Sequence, residues 1–250
     1  AKGMIPKELQ YKVVSQMEGF NFMENNSKGI EPYFKRLPDT KYIGFSARDL
    51  SSAKGFEQFI KITKKISKLS NNIKYIVIGS AKLLYSYETH FLHEKYTNTT
   101  EKSFVDYILE KNTIDKDRYI FTGMLDYEQY DVTIKAVDVF LYPVQFSSAS
   151  WGLLELMGRG SIVIASDRCY VPEVIDDNKN GFIIDYENID AWVDKSLEII
   201  ESLTNYNFIR ENAKNDIKNK YGINVVINNY IDIFERVVAN YSMHSKNLII

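Results

Sequence analysis

With 250 residues, 45% of them hydrophobic and 26% charged, the chain has the composition of an ordinary globular protein and little room for extended disorder. A net charge of −2 and a pI near 6.0 exclude the overall basic excess that draws a whole surface onto nucleic acid, so any anion site must be local. The single cysteine, Cys169, forbids an intrachain disulfide, and no run approaches the ~18 apolar residues of a membrane span; a chain of the cytoplasm, without a membrane span, is expected.

Residues 1–40 read as an N-terminal arm and linker, in which Pro6-Lys7-Glu8-Leu9 opens a weakly amphipathic stretch and Asn25-Asn26-Ser27-Lys28-Gly29 forms a turn. Residues 41–250 read as one domain. Short apolar, β-rich runs at 42–47, 74–79, 118–122, 138–142, 161–165 and 181–184 alternate with helical stretches, which is the pattern of βαβ units on a parallel sheet. After the first run, Phe56, Phe59, Ile60, Thr63 and Ile66 form an apolar stripe, and Lys61, Lys64, Lys65 and Lys68 occupy the other faces, so this helix should pack on the sheet. Residues 81–100 carry neither period and read as an excursion on the ligand-side rim. Three helical stretches, 190–203, 207–220 and 224–240, follow the last strand and should cap the sheet. The expected fold is therefore α/β: a Rossmann-like parallel sheet with helices on both faces and extra C-terminal helices.

In open α/β sheets ligands bind at the carboxyl ends of the strands, so the loops after Ala47, Gly79, Thr122, Tyr142 and Ala165 are where chemistry is expected. The first of these loops carries two cations, Arg48 and Lys54, just before a helix. The loop after Tyr142-Pro143 runs through Ser147, Ser148 and Ser150 into Trp151-Gly152-Leu153-Leu154-Glu155. Small hydroxyl residues and a glycine at a helix start leave backbone N–H groups available to phosphate oxygens, aided by the helix dipole. Glu155, one turn further on, could accept hydrogen bonds from ribose hydroxyls. Each feature also has a plainer reading, the cations as a solvated face and the serines as ordinary N-caps.

Their joint order resembles the family-four retaining glycosyltransferases. The resemblance covers about residues 29–200. Gly29-Ile30-Glu31-Pro32-Tyr33-Phe34 looks like the segment leading into that family's donor domain, and Arg48 followed by Lys54-Gly55 matches its basic pair. Phe121-Thr122-Gly123 and Val137-Asp138-Val139-Phe140 match further strands. The most extended match runs from Trp151 through Met157 to Gly160, then Val163-Ile164-Ala165-Ser166, Pro172-Glu173-Val174-Ile175 and Asn180-Gly181-Phe182. The resemblance implies half of a two-domain GT-B enzyme: the half that binds a UDP- or GDP-linked sugar, needs neither metal nor cofactor, and transfers the sugar with retention. Arg48 and Lys54 would hold the leaving diphosphate, and Gly123, Met124, Ser147, Ser150, Trp151, Gly152, Leu153 and Glu155 would bind the donor. The acceptor, a glycan or lipid-linked glycan, would be held by an acceptor half that precedes Gly29 or belongs to a partner chain. The expected setting is polysaccharide or glycolipid assembly, in the cytoplasm or at the inner face of the membrane.

One position departs from the pattern. The family often places a Glu where Ser147 stands, eight positions before Glu155, and a subset reading Ser-Trp-Ser-Leu-Leu-Glu lacks it, as Ser150 to Glu155 nearly does. Rival readings are a non-catalytic nucleotide-sugar-binding module, a subunit of a split enzyme, and an epimerase or phosphorylase on the same scaffold. Among smaller features, Asp115-Lys116-Asp117 reads as a turn or helix cap instead of a metal motif. His90 and His93 read as surface residues, Asn98-Thr99-Thr100 as a glycosylation sequon without consequence, Cys169 as a bystander and Trp192 as core.

Overall fold

The computed structural model describes residues 16–19, 29–82 and 103–245. The excursion expected over 81–100 lies, beyond its first two residues, outside the described residues, as do His90, His93 and Asn98 and most of the arm expected over 1–40 up to residue 28. The chain divides into two compact units, Glu24–Asn215, and Ala1–Met23 together with Asp216–Ile250.

In the larger unit the described strands are β1 (Lys41–Asp49), β2 (Ile73–Ser80), β3 (Tyr119–Gly123), β4 (Val139–Tyr142), β5 (Ile162–Ser166) and β6 (Phe182–Ile184). They form a six-stranded parallel sheet in the order β3-β2-β1-β4-β5-β6. The helices between them are α1 (Phe56–Leu69), α2 (Phe104–Lys111), α3 (Tyr127–Lys135), α4 (Trp151–Gly158) and α5 (Val171–Val174), and α6 (Ile189–Glu201) follows β6. This is the expected Rossmann-like α/β fold, and helix α7 (Asn207–Tyr221) follows it.

Burial explains the apolar runs. Every residue of β4 and β5 is buried, as a parallel strand covered on both faces requires. The α1 stripe turns Phe56, Phe59, Ile60, Thr63 and Ile66 onto the sheet, where Phe59 packs beside Phe45 and Tyr75. Trp192 of α6 is core, as expected, and its indole Nε1 donates to the Asp185 carbonyl at 3.0 Å. Residues 29–40 are tied to the larger unit: Phe34 lies against the Tyr42 ring, and Arg36 holds both Asp138 carboxylate oxygens at 3.1 Å.

The strand ends shift from the sequence reading by one or two residues, and at two of them the shift changes a residue's place. Arg118, expected to open the third strand, belongs instead to a 3₁₀ turn that Asp115 caps by accepting from the Asp117 N–H at 3.2 Å. The Arg118 guanidinium donates to the carbonyls of Ser67, Ser70 and Ile73 at 2.7–3.0 Å, closing the C-terminal end of α1. The first strand runs on to Asp49, so Arg48 lies within it and not after it.

The smaller unit contains α8 (Ile223–Ser245) with residues 16–19 against it: Asn229 donates to Gln16 at 3.2 Å, and a Cβ on Gly19 would fall 2.8 Å from Ile223. No helix among the described residues is long and apolar enough to cross a membrane.

Strand order creates the opening for a site. From β1 the chain builds β2 and β3 on one side, then crosses back to place β4 on the other. Strand order reverses between β1 and β4, and in open α/β sheets the crevice that binds ligands lies at such a reversal. Gly55, the residue before α1, has φ +84, and a Cβ there would sit 1.6 Å from the Pro143 carbonyl oxygen. This glycine lets the β1 connection lie directly on the end of β4. Gly55→Ala is expected to cost ~2–3 kcal/mol through overpacking and a left-handed backbone; a wild-type denaturation midpoint in urea would show that the two connections do not meet there.

Candidate functional site

The site begins with an irregularity in β1. Ser46 pairs with Ile78 but Asp49 pairs with Ser80, so one extra residue is accommodated between them as a bulge. Such bulges re-aim side chains at strand ends. Gly79 makes room for it: its φ is +144, and a Cβ would lie 2.2 Å from the Ala47 carbonyl oxygen. Arg48 sits on this bulge, exposed at the carboxyl edge, and makes no hydrogen bond or ion pair with any described residue.

The β1 connection then folds onto the β4 connection. The N–H groups of Gln145 and Phe146 both donate to the Ala53 carbonyl, at 2.9 and 3.0 Å. Lys54 Nζ donates to Ser147 Oγ at 2.9 Å, so two residues 93 positions apart become direct partners. Burial lowers the Lys54 pKa from the ordinary lysine value, opposed by the charge of buried Asp49 and by Cys169. A partly desolvated ammonium is a poor solvated-surface residue and a good one for an incoming anion, which would restore the charge partner that water no longer supplies.

From Ser147 the same connection enters α4. Ser150 is the N-cap and accepts from the Gly152 N–H at 3.3 Å. The other N–H groups of a first helical turn lack intrahelical carbonyls and carry the positive end of the dipole. Trp151 is 54% exposed, whereas the Leu153 side chain is fully buried, so only the Leu153 backbone is available to a ligand. Glu155 is half-buried; burial raises its pKa, opposed by the Arg159 charge, and no described residue donates a hydrogen bond to its carboxylate. Arg159 is itself committed to Asp131 (Nε to Oδ1, 2.6 Å) and to the Tyr127 hydroxyl. Glu155 therefore keeps acceptor capacity at a place where the core discourages its charge.

The structure thus brings Lys54 and Ser147 into contact, carries Arg48 on the β1 bulge that precedes the Lys54 connection, and sets Ser150, Trp151, Gly152, Leu153 and Glu155 on the direct continuation of the Ser147 loop. Gly123 and Met124 are not joined to this group. They end β3, on the same edge but beyond β2, with Gly123 at φ +69 and Met124 62% exposed.

Three residues of this edge escape a motif-based reading. Cys169, read from the sequence as a bystander, touches the Ser147 loop: its Sγ accepts from the Ser147 N–H and donates to the Gln145 carbonyl, both at 3.4 Å. It follows β5, one of the strand ends singled out above, and position in the fold could have flagged it where partner-hunting did not. Tyr142 and Tyr170 are buried, with hydroxyl oxygens 2.8 Å apart, and no motif marks either of them. Among the described residues no group of three His, Cys, Asp or Glu side chains is placed to hold a metal ion.

Comparison with known proteins adds the family. A model described as glycosyl transferases group 1 matches residues 30–216. The poly(ribitol-phosphate) alpha-N-acetylglucosaminyltransferase of Staphylococcus aureus (strain COL) is 22% identical over 201 residues, covering 80% of this chain and 36% of its own length. The crystal structure of a glycosyltransferase from Rickettsia africae ESF-5 superposes with a TM-score of 0.70 at 17% identity, over 92% of this chain and 59% of the other. That of Anabaena Alr3699/HepE in complex with UDP-glucose gives 0.60 at 17% identity, over 79% and 49%. At these identities the two structures speak for the fold alone. The chain spans 30–40% of the length of the curated relatives it matches.

Proposed function

The chain belongs to the group 1 glycosyl transferases, and from that membership we propose that residues 41–250 are the donor-binding half of a retaining, metal-independent hexosyltransferase that uses a UDP- or GDP-linked sugar. The observation that carries this reading is the Lys54–Ser147 bridge at the β1/β4 crevice. It puts a half-buried cation beside the loop that feeds the N-terminus of α4, where a diphosphate would meet a charge, a hydroxyl and helix N–H groups together. Exposed Arg48 supplies a second cation from the β1 bulge.

In this mechanism the bond between the anomeric carbon and the diphosphate breaks, and negative charge grows on the leaving oxygen. Arg48, Lys54 and the α4 N-terminus stabilise that charge in place of a metal ion. Ser147, where the family often has Glu, engages Lys54 and so contributes hydrogen bonding but no charge beside the sugar. Gly123 and Met124, at the exposed end of β3, are assigned to the outer part of the donor. The acceptor is a glycan or lipid-linked glycan held by residues outside this chain, and the setting is polysaccharide or glycolipid assembly at the cytoplasmic face of a membrane.

Glu155 tests the ribose end. Its carboxylate lies one turn into α4 with unused acceptor capacity, so Glu155→Gln, which keeps shape and removes charge, is expected to weaken UDP or GDP by ~5–10-fold and leave inorganic pyrophosphate unchanged. Competition titrations measure both. Equal losses for nucleotide and pyrophosphate would point to a helix-stabilising role and against ribose recognition.

A further inference from the structure

The connection from β5 to α5 runs alongside the loop from Val144 to Ser147 and touches it at successive points. Ser166 Oγ donates to the Val144 carbonyl at 2.6 Å. Cys169 Sγ bridges the Gln145 carbonyl and the Ser147 N–H. The Tyr170 hydroxyl meets that of Tyr142, the last residue of β4, at 2.8 Å. The connection is itself anchored: the Asp167 N–H donates to the Ile184 carbonyl at 3.0 Å, and the Asp167 carboxylate accepts from the Tyr186 N–H at 3.1 Å.

From these contacts we infer that residues 167–170 act as a clamp on the donor loop, with Cys169 and Tyr170 as positioning residues for the diphosphate. Cys169 fixes the backbone at Ser147, whose hydroxyl receives the Lys54 ammonium. Tyr170, through the Tyr142 hydroxyl, fixes the end of β4 from which the loop to Ser147 and the Ser150 cap of α4 departs. Losing the Tyr170 hydroxyl leaves the buried Tyr142 hydroxyl without this partner and loosens the start of that loop. Burial raises the pKa of both tyrosines, which keeps the phenols protonated and the network neutral at ordinary pH. Preorganisation of this kind affects the phosphate end of a ligand and leaves the nucleoside end alone.

The inference rests on the donor reading above, and the test separates the two. UDP and GDP are titrated into the full chain, with uridine and guanosine as phosphate-free controls followed by ligand-observed NMR. Tyr170→Phe keeps the ring in its place and is expected to lower diphosphate affinity about 3–10-fold with nucleoside affinity unchanged. Cys169→Ala should do the same, and Cys169→Ser, which can still donate and accept, should recover most of the loss. If Tyr170→Phe fails to fold, the Cys169 pair decides. Wild-type diphosphate affinity in both Tyr170→Phe and Cys169→Ala, or equal losses for diphosphate and nucleoside, would overturn the clamp. Binding of neither diphosphate by the wild-type chain would remove the donor reading itself, and the clamp with it.

Discussion

Lys54→Ala is expected to weaken nucleoside-diphosphate binding by ~10–100-fold, since a charge-assisted hydrogen bond to phosphate contributes ~1.5–3 kcal/mol. The effect should exceed that of an ordinary surface lysine because Lys54 is partly desolvated and already directed at Ser147. The same burial gives a pH signature. Because the Lys54 pKa is lowered, the ammonium is present at low pH and lost as pH rises through that lowered value, so affinity should fall on the alkaline side earlier than for a free lysine. A bound diphosphate favours the charged form, so binding on that limb should be accompanied by proton uptake. Lys54→Arg should shift the alkaline fall upward, because a guanidinium stays charged. Calorimetry across pH in two buffers of different ionisation heat measures affinity and proton uptake together. An affinity unchanged in both Lys54→Ala and Arg48→Ala would remove the diphosphate from this crevice.

The 250-residue chain, bound to donor, is expected to transfer sugar to acceptor at a rate orders of magnitude below that of the same site joined to an acceptor-binding half. Stabilising the leaving group does not by itself bring an acceptor hydroxyl to the anomeric carbon. Holding the two reactants in near-attack geometry is worth ~7–11 kcal/mol of the barrier, and that share is proposed to come from residues outside this chain. Assaying the chain beside a version completed with such a half, using labelled donor, reads the difference directly. Robust transfer to a specific acceptor by the chain alone would show that its own residues bind acceptor and would end the half-enzyme reading.

Much of this architecture was legible in the sequence because a buried parallel strand is written locally. Val139-Phe140-Leu141-Tyr142 and Ile162 to Ser166 are continuous apolar runs, and the α1 stripe has helical spacing throughout. Ser150 announced its helix as an N-cap does. Strand ends were less legible, since they depend on pairing: β1 continues through Arg48 only because a bulge and Gly79 let Asp49 rejoin Ser80. Arg118 was misread for a related reason, as its guanidinium serves carbonyls from Ser67 to Ile73, about 45 to 51 positions away in the chain. In the candidate site, ordered motifs marked Arg48, Lys54 and the α4 start, but the Lys54–Ser147 contact spans 93 positions and no local pattern encodes it. Cys169, Tyr142 and Tyr170 stayed hidden because their partners, Gln145, Ser147 and each other, lie 22 to 28 positions away across two strand ends and no local pattern encodes them.

The central claim is that protein cations and a helix terminus, without a metal ion, hold the donor's diphosphate at the β1/β4 crevice. Its most direct test is a calorimetric titration of UDP- and GDP-sugars into the wild-type chain and an Arg48→Ala/Lys54→Ala variant, in buffer containing excess EDTA. Saturable binding of one of these donors to the wild type, undiminished by the chelator and lost in the doubly substituted chain, is the result predicted. Binding that appears only when Mg²⁺ or Mn²⁺ is added, or that survives removal of both cations, would contradict it.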